Sequence, residues 1–214
     1  MDMNNIIIKR IVPGAVVLFV IGCVSFPDAQ TSRQLAEKMV AEAYPGMPES
    51  LTNRSHQDQA QQSCSQIGDA RLSQEKAAEV IKLSRESMKY PASGKLVGNW
   101  KAGEKLAYDG AGTRIRNGRV EKVNENGALC SNCHVLDPKE VNVGNVGPSL
   151  AGYGVQRGNA EAVAKLTYEK IYNAWIYLPC SNMPRLGANG HLSPEQITHV
   201  VAYLIDAQSP VNTK

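Results

Sequence analysis

The spacing of apolar and polar positions divides the chain into three stretches. A mostly apolar run, "IVPGAVVLFVIGCVSF", follows Lys9 and Arg10 near the start. From there to about residue 95 the pattern is polar, with apolar positions recurring at helical intervals. From Gly98 onward, Gly-rich loops separate helices with continuous apolar faces.

The middle stretch predicts two clear helices. "SRQLAEKMVAEAY" places Leu35, Met39, Val40 and Ala43 on one helical face, and "YPGMPES" breaks it with Pro45, Gly46 and Pro48. "SQEKAAEVIKLSRESMKY" predicts the second, with Ser73 as its cap and "YPASG" at 90–94 as its stop. The Gln-rich "RSHQDQAQQSCSQ" between them is only weakly patterned. An arm with so little apolar material cannot bury much surface alone, so it is expected to lie on the following domain or on a partner chain. A partly disordered leader is the other reading of its polar composition.

The last stretch reads as helix, irregular loop, helix, loop, helix. "WKAGEKLAYDG" predicts a short helix, and "TRIRNGRVEKVNENG" a loop or hairpin. "VGNVGPSLAGYG" is too rich in Gly for regular structure. "AEAVAKLTYEKIYNAWIY" is strongly helical, "LPCSNMPRLGANG" a loop. "LSPEQITHVVAYLIDAQ" predicts a final helix with Ser193 as cap and Pro194 in its first turn. No internal repeat, strand–helix alternation or phosphate-binding Gly loop occurs.

The basic start and short apolar run read as an export signal. The run is interrupted by Pro13-Gly14 and is shorter than the roughly 20 residues of a spanning helix, though an uncleaved anchor stays open. "VIGC", ending at Cys23, has the form of a bacterial lipoprotein signal, which would leave Cys23 lipidated at the new N-terminus. Ordinary cleavage between about Ser25 and Ala29 is the alternative. A net charge of +3 over 214 residues is too mild to argue for nucleic acid or an anionic membrane. Export implies an oxidising compartment, where each thiol needs a reason.

Two of the five cysteines have one in "CSNCH". Cys130-x-x-Cys133-His134 is the attachment signature of c-type haem. Thiols about one helical turn apart can add across the two vinyl groups on one porphyrin edge, and the adjacent imidazole can donate to the iron. Zinc would call for a second ligand pair and thioredoxin-like chemistry for a βαβ frame; neither is present. A methionine commonly closes the other axial position. Of six methionines, Met183 in "NMPRLG" is the one downstream of the motif, and Pro184 holds it in extended backbone. A loop methionine of this kind can face a flat ring; core filler is the competing role. His191 and His199 are weaker rivals, the first in a turn and the second beside Val200 and Val201 in the last helix.

"CSNCH", "GPSL", "NMPRLG" and a last helix holding "VVAYLI" together resemble the class I cytochrome c fold over about residues 98–208. The resemblance implies an all-α fold with a cytochrome c domain over 96–214, following the signal over 1–23 and the helical arm over 24–95. It implies one covalently bound haem c on Cys130 and Cys133, with iron ligands His134 and Met183. The carbonyl of Pro148 would accept a hydrogen bond from the Nδ1 proton of His134. Helices at the two ends of the domain would cross, with Gly103 close to Tyr203 and Leu204. Trp175, Tyr172 and Tyr177 would line the pocket, bind propionates or simply fill core.

The spacer before "NGALCSNCH", then "NVGPSLAGYG" and "YEKIYNAW" running into "MPRLG", further resemble the SoxX family, monohaem subunits of SoxAX thiosulfate-oxidising cytochromes. That resemblance implies a periplasmic heterodimer with a SoxA-like chain, a SoxYZ-like carrier protein and a soluble cytochrome acceptor. The sulfur-coupling site, of L-cysteine S-thiosulfotransferase type, would lie on the SoxA-like chain. This chain would only pass electrons, since no nucleophile–base pair or carboxylate dyad stands beside its haem motif. A stand-alone monohaem carrier, or a subunit of another periplasmic dehydrogenase, is the second reading. A sensor or peroxidase with a displaceable ligand is the third.

Cys64 and Cys180 remain. In an oxidising compartment a leftover pair suggests a disulfide, which would clamp the arm to the haem domain. Closing so long a loop is worth about 4 kcal/mol in the chain-entropy model. A reactive thiol at Cys180, or two separate buried thiols, are the alternatives.

Overall fold

The strongest apolar periodicities of the sequence become the three helices that build the core. The computed structural model describes residues 28–43, 56–65, 72–110, 112–116, 119–122, 126–141 and 144–213. The expected export signal, Cys23 and the Pro-Gly break at 44–50 lie outside these residues. Among the described residues no helix is long and apolar enough to cross a membrane.

The order is α1 (Ala29–Ala43), α2 (Gln59–Ser65), α3 (Gln74–Glu86), α4 (Trp100–Tyr108), β1 (Thr113–Arg116), β2 (Arg119–Lys122), a 3-10 turn (Cys130–Asn132), α5 (Tyr153–Arg157), α6 (Glu161–Asn173), a 3-10 turn (Ala174–Ile176), α7 (Pro194–Ile205) and α8 (Pro210–Thr213). The fold is all-α as expected. The Asn- and Gly-punctuated stretch resolves into an antiparallel hairpin, Thr113 opposite Lys122 and Arg116 opposite Arg119.

α7 is the central element. Its start is a capping box: Ser193 Oγ accepts from the Gln196 N–H, and Gln196 Oε1 accepts from the Ser193 N–H, with Pro194 at the first position. Eight of its twelve residues are buried, including Ile197, Val201 and Tyr203. It crosses α4 at Gly103, where a Cβ would lie 1.9 Å from the His199 carbonyl oxygen. Only glycine lets the backbones approach so closely. His199 has a structural role at this crossing: its Nδ1 accepts from the Asn99 N–H at 2.9 Å, next to the α4 cap. α6, α8, Leu136, Leu186 and Leu192 complete one apolar cluster with α4 and α7.

The region before residue 95 behaves in two ways. α1 buries none of its residues, and Leu35 and Met39 stay exposed. α2 and α3 instead pack on the domain. Val80, fully buried, and Ala60 form a second small cluster with Trp175, flanked by Leu83, Cys64 and Cys180. Burying a side chain the size of Val80 contributes about 1.5–3 kcal/mol. α3 stops at Glu86, four residues before the Tyr90-Pro91 break, with Ser87 as its C-cap. Ser87 then receives hydrogen bonds from Tyr172 and Asn173, and the Lys89 carbonyl receives one from Tyr168. Tertiary bonds, not a local breaker, end this helix.

Candidate haem site

Cys130 opens the 3-10 turn, Cys133 caps its end and His134 follows directly. The N–H groups of Cys133 and His134 both donate to the Cys130 carbonyl, at 3.1 and 2.8 Å. Leu129 enters this turn with φ 43°, left-handed backbone in a residue with a branched side chain. Such strain persists only where surrounding structure imposes it, and it concentrates at functional sites. The other non-glycine residue with positive φ among those described is Cys180, at 60°, three residues before Met183.

The loop after the turn wraps His134. The Gly144 N–H donates to the Ser131 carbonyl, Gly147 N–H to Cys133, and Leu150 N–H to Val135. The His134 Nδ1 lies 2.7 Å from the Pro148 carbonyl oxygen. That carbonyl can only accept, so Nδ1 carries the proton and Nε2 keeps the lone pair. The imidazole lies against Gly147, where a Cβ would be 2.2 Å from the His134 Cε1. Burial pushes the Cys130 thiol up to about 11, so it is neutral at physiological pH.

These features fit a covalently held haem. The motif thiols are not joined to each other, whereas Cys64 and Cys180 form a disulfide. The imidazole offers Nε2, and the Gly147 surface fixes its plane. The pair left over in the sequence is thus joined to itself, and the reactive-thiol reading of Cys180 falls.

Met183 is half-buried and packs against the main apolar cluster. Its N–H donates to Ser181 Oγ at 3.2 Å, and the Ser181 carbonyl accepts from Trp175 Nε1 at 2.8 Å. Of the arm methionines, Met39 is exposed and Met88 is half-buried against the same main cluster. His191 is engaged with the Gly127 carbonyl at 2.7 Å.

All three aromatic candidates are engaged within the fold, Tyr172 in the main core cluster and Tyr172 and Trp175 also against the arm. Trp175 packs on Val80, and the Tyr172 hydroxyl donates to the Ser87 carbonyl. Tyr177 and Tyr90 both hydrogen-bond the buried Glu169. Burial first, and then Glu169, push the Tyr90 and Tyr177 hydroxyls up to about 12. Sequence reading missed Arg185. Its guanidinium is buried two residues after Met183, stacked on Trp175 at 4.5 Å and paired with Asp58 of the arm at 2.8 Å. No local signal marks that pair, because its partners are 127 positions apart.

Comparison with known proteins agrees with the fold and the motif. Residues 121–208 match the profile of the family described as cytochrome c. The chain is also 40% identical over 156 residues, 73% of each protein, to an uncharacterized lipoprotein of Aquifex aeolicus (strain VF5). That length exceeds the 119 residues from 96 to 214, so the likeness reaches into the arm. The chain shares a family with that lipoprotein and carries a cytochrome c domain of the all-α class I fold with covalently bound haem c, which makes it a haem electron-transfer protein.

Proposed function

We propose that the chain is an exported monohaem cytochrome in which Cys130 and Cys133 carry the thioether links and His134 and Met183 are the axial ligands. The observation that carries this reading is the His134–Pro148 bond, which commits Nδ1 and leaves Nε2 to the iron. When bound, the haem supplies one-electron chemistry. Cys130 and Cys133 would hold it through thioether links, and the protein's part is to keep the His134 imidazole and the Met183 thioether in place. The lipoprotein name of the Aquifex relative supports lipidation at Cys23 and export to the periplasm.

Within this class we favour a SoxX-like subunit of a thiosulfate-oxidising complex, with a SoxA-like partner, a SoxYZ-like carrier protein and a soluble cytochrome acceptor. The exposed Leu35 and Met39 of α1, which nothing in the chain covers among the described residues, support a partner at the arm. One observation favours the second reading, a lipid-tethered stand-alone carrier: the disulfide folds α2 back onto the chain's own domain.

Mass spectrometry of protein matured in a haem-attaching host should show one added haem, and Cys130→Ser with Cys133→Ser should abolish it. Met183→Ala should remove the thioether-to-iron charge-transfer band of the ferric protein, while Met88→Ala keeps it. Affinity purification from thiosulfate-grown cells should recover a second cytochrome; recovery of the chain alone would select the tethered carrier.

A further inference from the structure

Met183 sits between two long-range tethers that end on the same short helix. Three residues before it, Cys180 is bonded to Cys64 within α2. Two residues after it, Arg185 pairs with Asp58. Asp58 also caps α2, its Oδ1 accepting from the Gln61 N–H at 2.8 Å while Oδ2 meets the guanidinium. Between the tethers, Trp175 binds the Ser181 carbonyl, lies under Arg185, and packs on Val80 and Ala60 of the arm. The left-handed backbone at Cys180 is imposed at the same place.

We propose that α2 is a positioning clamp for the methionine loop: Cys64, Cys180, Asp58 and Arg185 hold Met183 on the iron, and the sixth coordination position stays closed only while the arm is docked. The proposal rests on the reading of Met183 as axial ligand. A methionine loop held only by its own turns opens readily, because thioether sulfur is a weak neutral donor. Anchoring both flanks to one helix removes the loop motion that would let an outside ligand reach the metal. The clamp is also reducible. A dithiol breaks the sulfur–sulfur bond, supplying two electrons and two protons; Cys64 and Cys180 become thiols and the dithiol becomes a cyclic disulfide.

The test uses the full-length ferric holoprotein. Imidazole binding is titrated from the shift of the Soret band, together with the thioether charge-transfer band and the reduction potential. Cys64→Ser with Cys180→Ser should bind imidazole about tenfold tighter, as the open population rises, and should weaken the charge-transfer band. Protein reduced with dithiothreitol, alkylated at the released Cys64 and Cys180 thiols, freed of reductant and returned to the ferric state with ferricyanide should do the same. Asp58→Asn should give a smaller gain in the same direction. Val211→Ala, a cavity at a buried site in α8, controls for general destabilisation and should bind imidazole as the parent does.

Unchanged imidazole affinity and band in both the serine pair and the dithiol-treated protein would overturn the clamp. So would an equal gain in Val211→Ala. Met183→Ala should lose the band outright; if it keeps the band, the ligand assignment itself fails, an outcome distinct from failure of the clamp.

Discussion

The two segments proposed to ligate the iron are held over different distances along the chain. His134 is fixed from within residues 129–150: a turn, three loop hydrogen bonds, one glycine surface and the Pro148 carbonyl fourteen positions away. Met183 depends on partners in another part of the sequence, with a disulfide spanning 116 positions and an ion pair to Asp58. Local closure costs little chain entropy and survives local fluctuations; distant closure costs more and stabilises correspondingly when fixed by a covalent bond. The His134 segment is therefore built into the domain, while the Met183 loop is tied to the arm, which the proposed clamp turns into a condition for ligation.

The largest test of this contrast is removal of the disulfide. Cys64→Ser with Cys180→Ser should cost about 4 kcal/mol in thermal or denaturant unfolding, and protease should then cut the arm first. Haem attachment and the His134–Pro148 bond should persist. Equal disturbance of both sides would remove the distinction.

Gly147→Ala strikes the opposite side. Its Cβ would fall 2.2 to 2.8 Å from three atoms of the His134 ring, so ring or loop must move. A cost of about 3 kcal/mol is expected, with altered imidazole resonances in the holoprotein and the disulfide region intact by hydrogen exchange.

Alkali should weaken the contact between the arm and α6. Tyr90 of the arm and Tyr177 both bond Glu169, and both hydroxyls are raised from 10.0 to about 12. The folded state holds these protons more tightly than the unfolded one. The stability they contribute is complete below pH 10 and is lost as pH rises to about 12. Unfolding measured across that window should show the loss, and Tyr90→Phe with Tyr177→Phe should lessen it, leaving the share of Tyr108, Tyr168, Tyr172 and Tyr203, whose hydroxyls burial also raises.

Pro148→Ala should be the mildest change. The acceptor on His134 is a backbone oxygen, which alanine retains, so the loss is limited to the added freedom of the unfolded loop, about 0.4–1 kcal/mol. A large loss of haem-iron coordination in this variant would show that the proline ring, and not its carbonyl, orients the imidazole.

What could be read in advance follows the same division. The caps at Ser193 and Ser73 are short-range signals, and the Gly103 crossing of α4 and α7 came from the family resemblance; each appears in the fold. The hairpin at 113–122 was left open between loop and strand because its polar residues support either. Helix α2 was not anticipated. "QAQQSCS" has no apolar stripe, and it is held by a cap, a disulfide and Trp175. Of the aromatic candidates Tyr172 and Trp175 are core, as one reading had it, but their further contacts with Ser87 and Val80 depend on where α3 lies.

The order of residues by itself determined the chemistry: two thiols and an imidazole within five positions place their groups by covalent geometry, whatever the rest of the chain does. The repeat of apolar residues likewise determined the core helices, since a helix buries the face its period supplies. Tertiary structure decided what else surrounds the methionine loop. The count of leftover cysteines already pointed to the Cys64–Cys180 bond, but the pairing of Asp58 with Arg185 and the packing of Val80 and Ala60 on Trp175 join residues too far apart to leave a trace in local sequence.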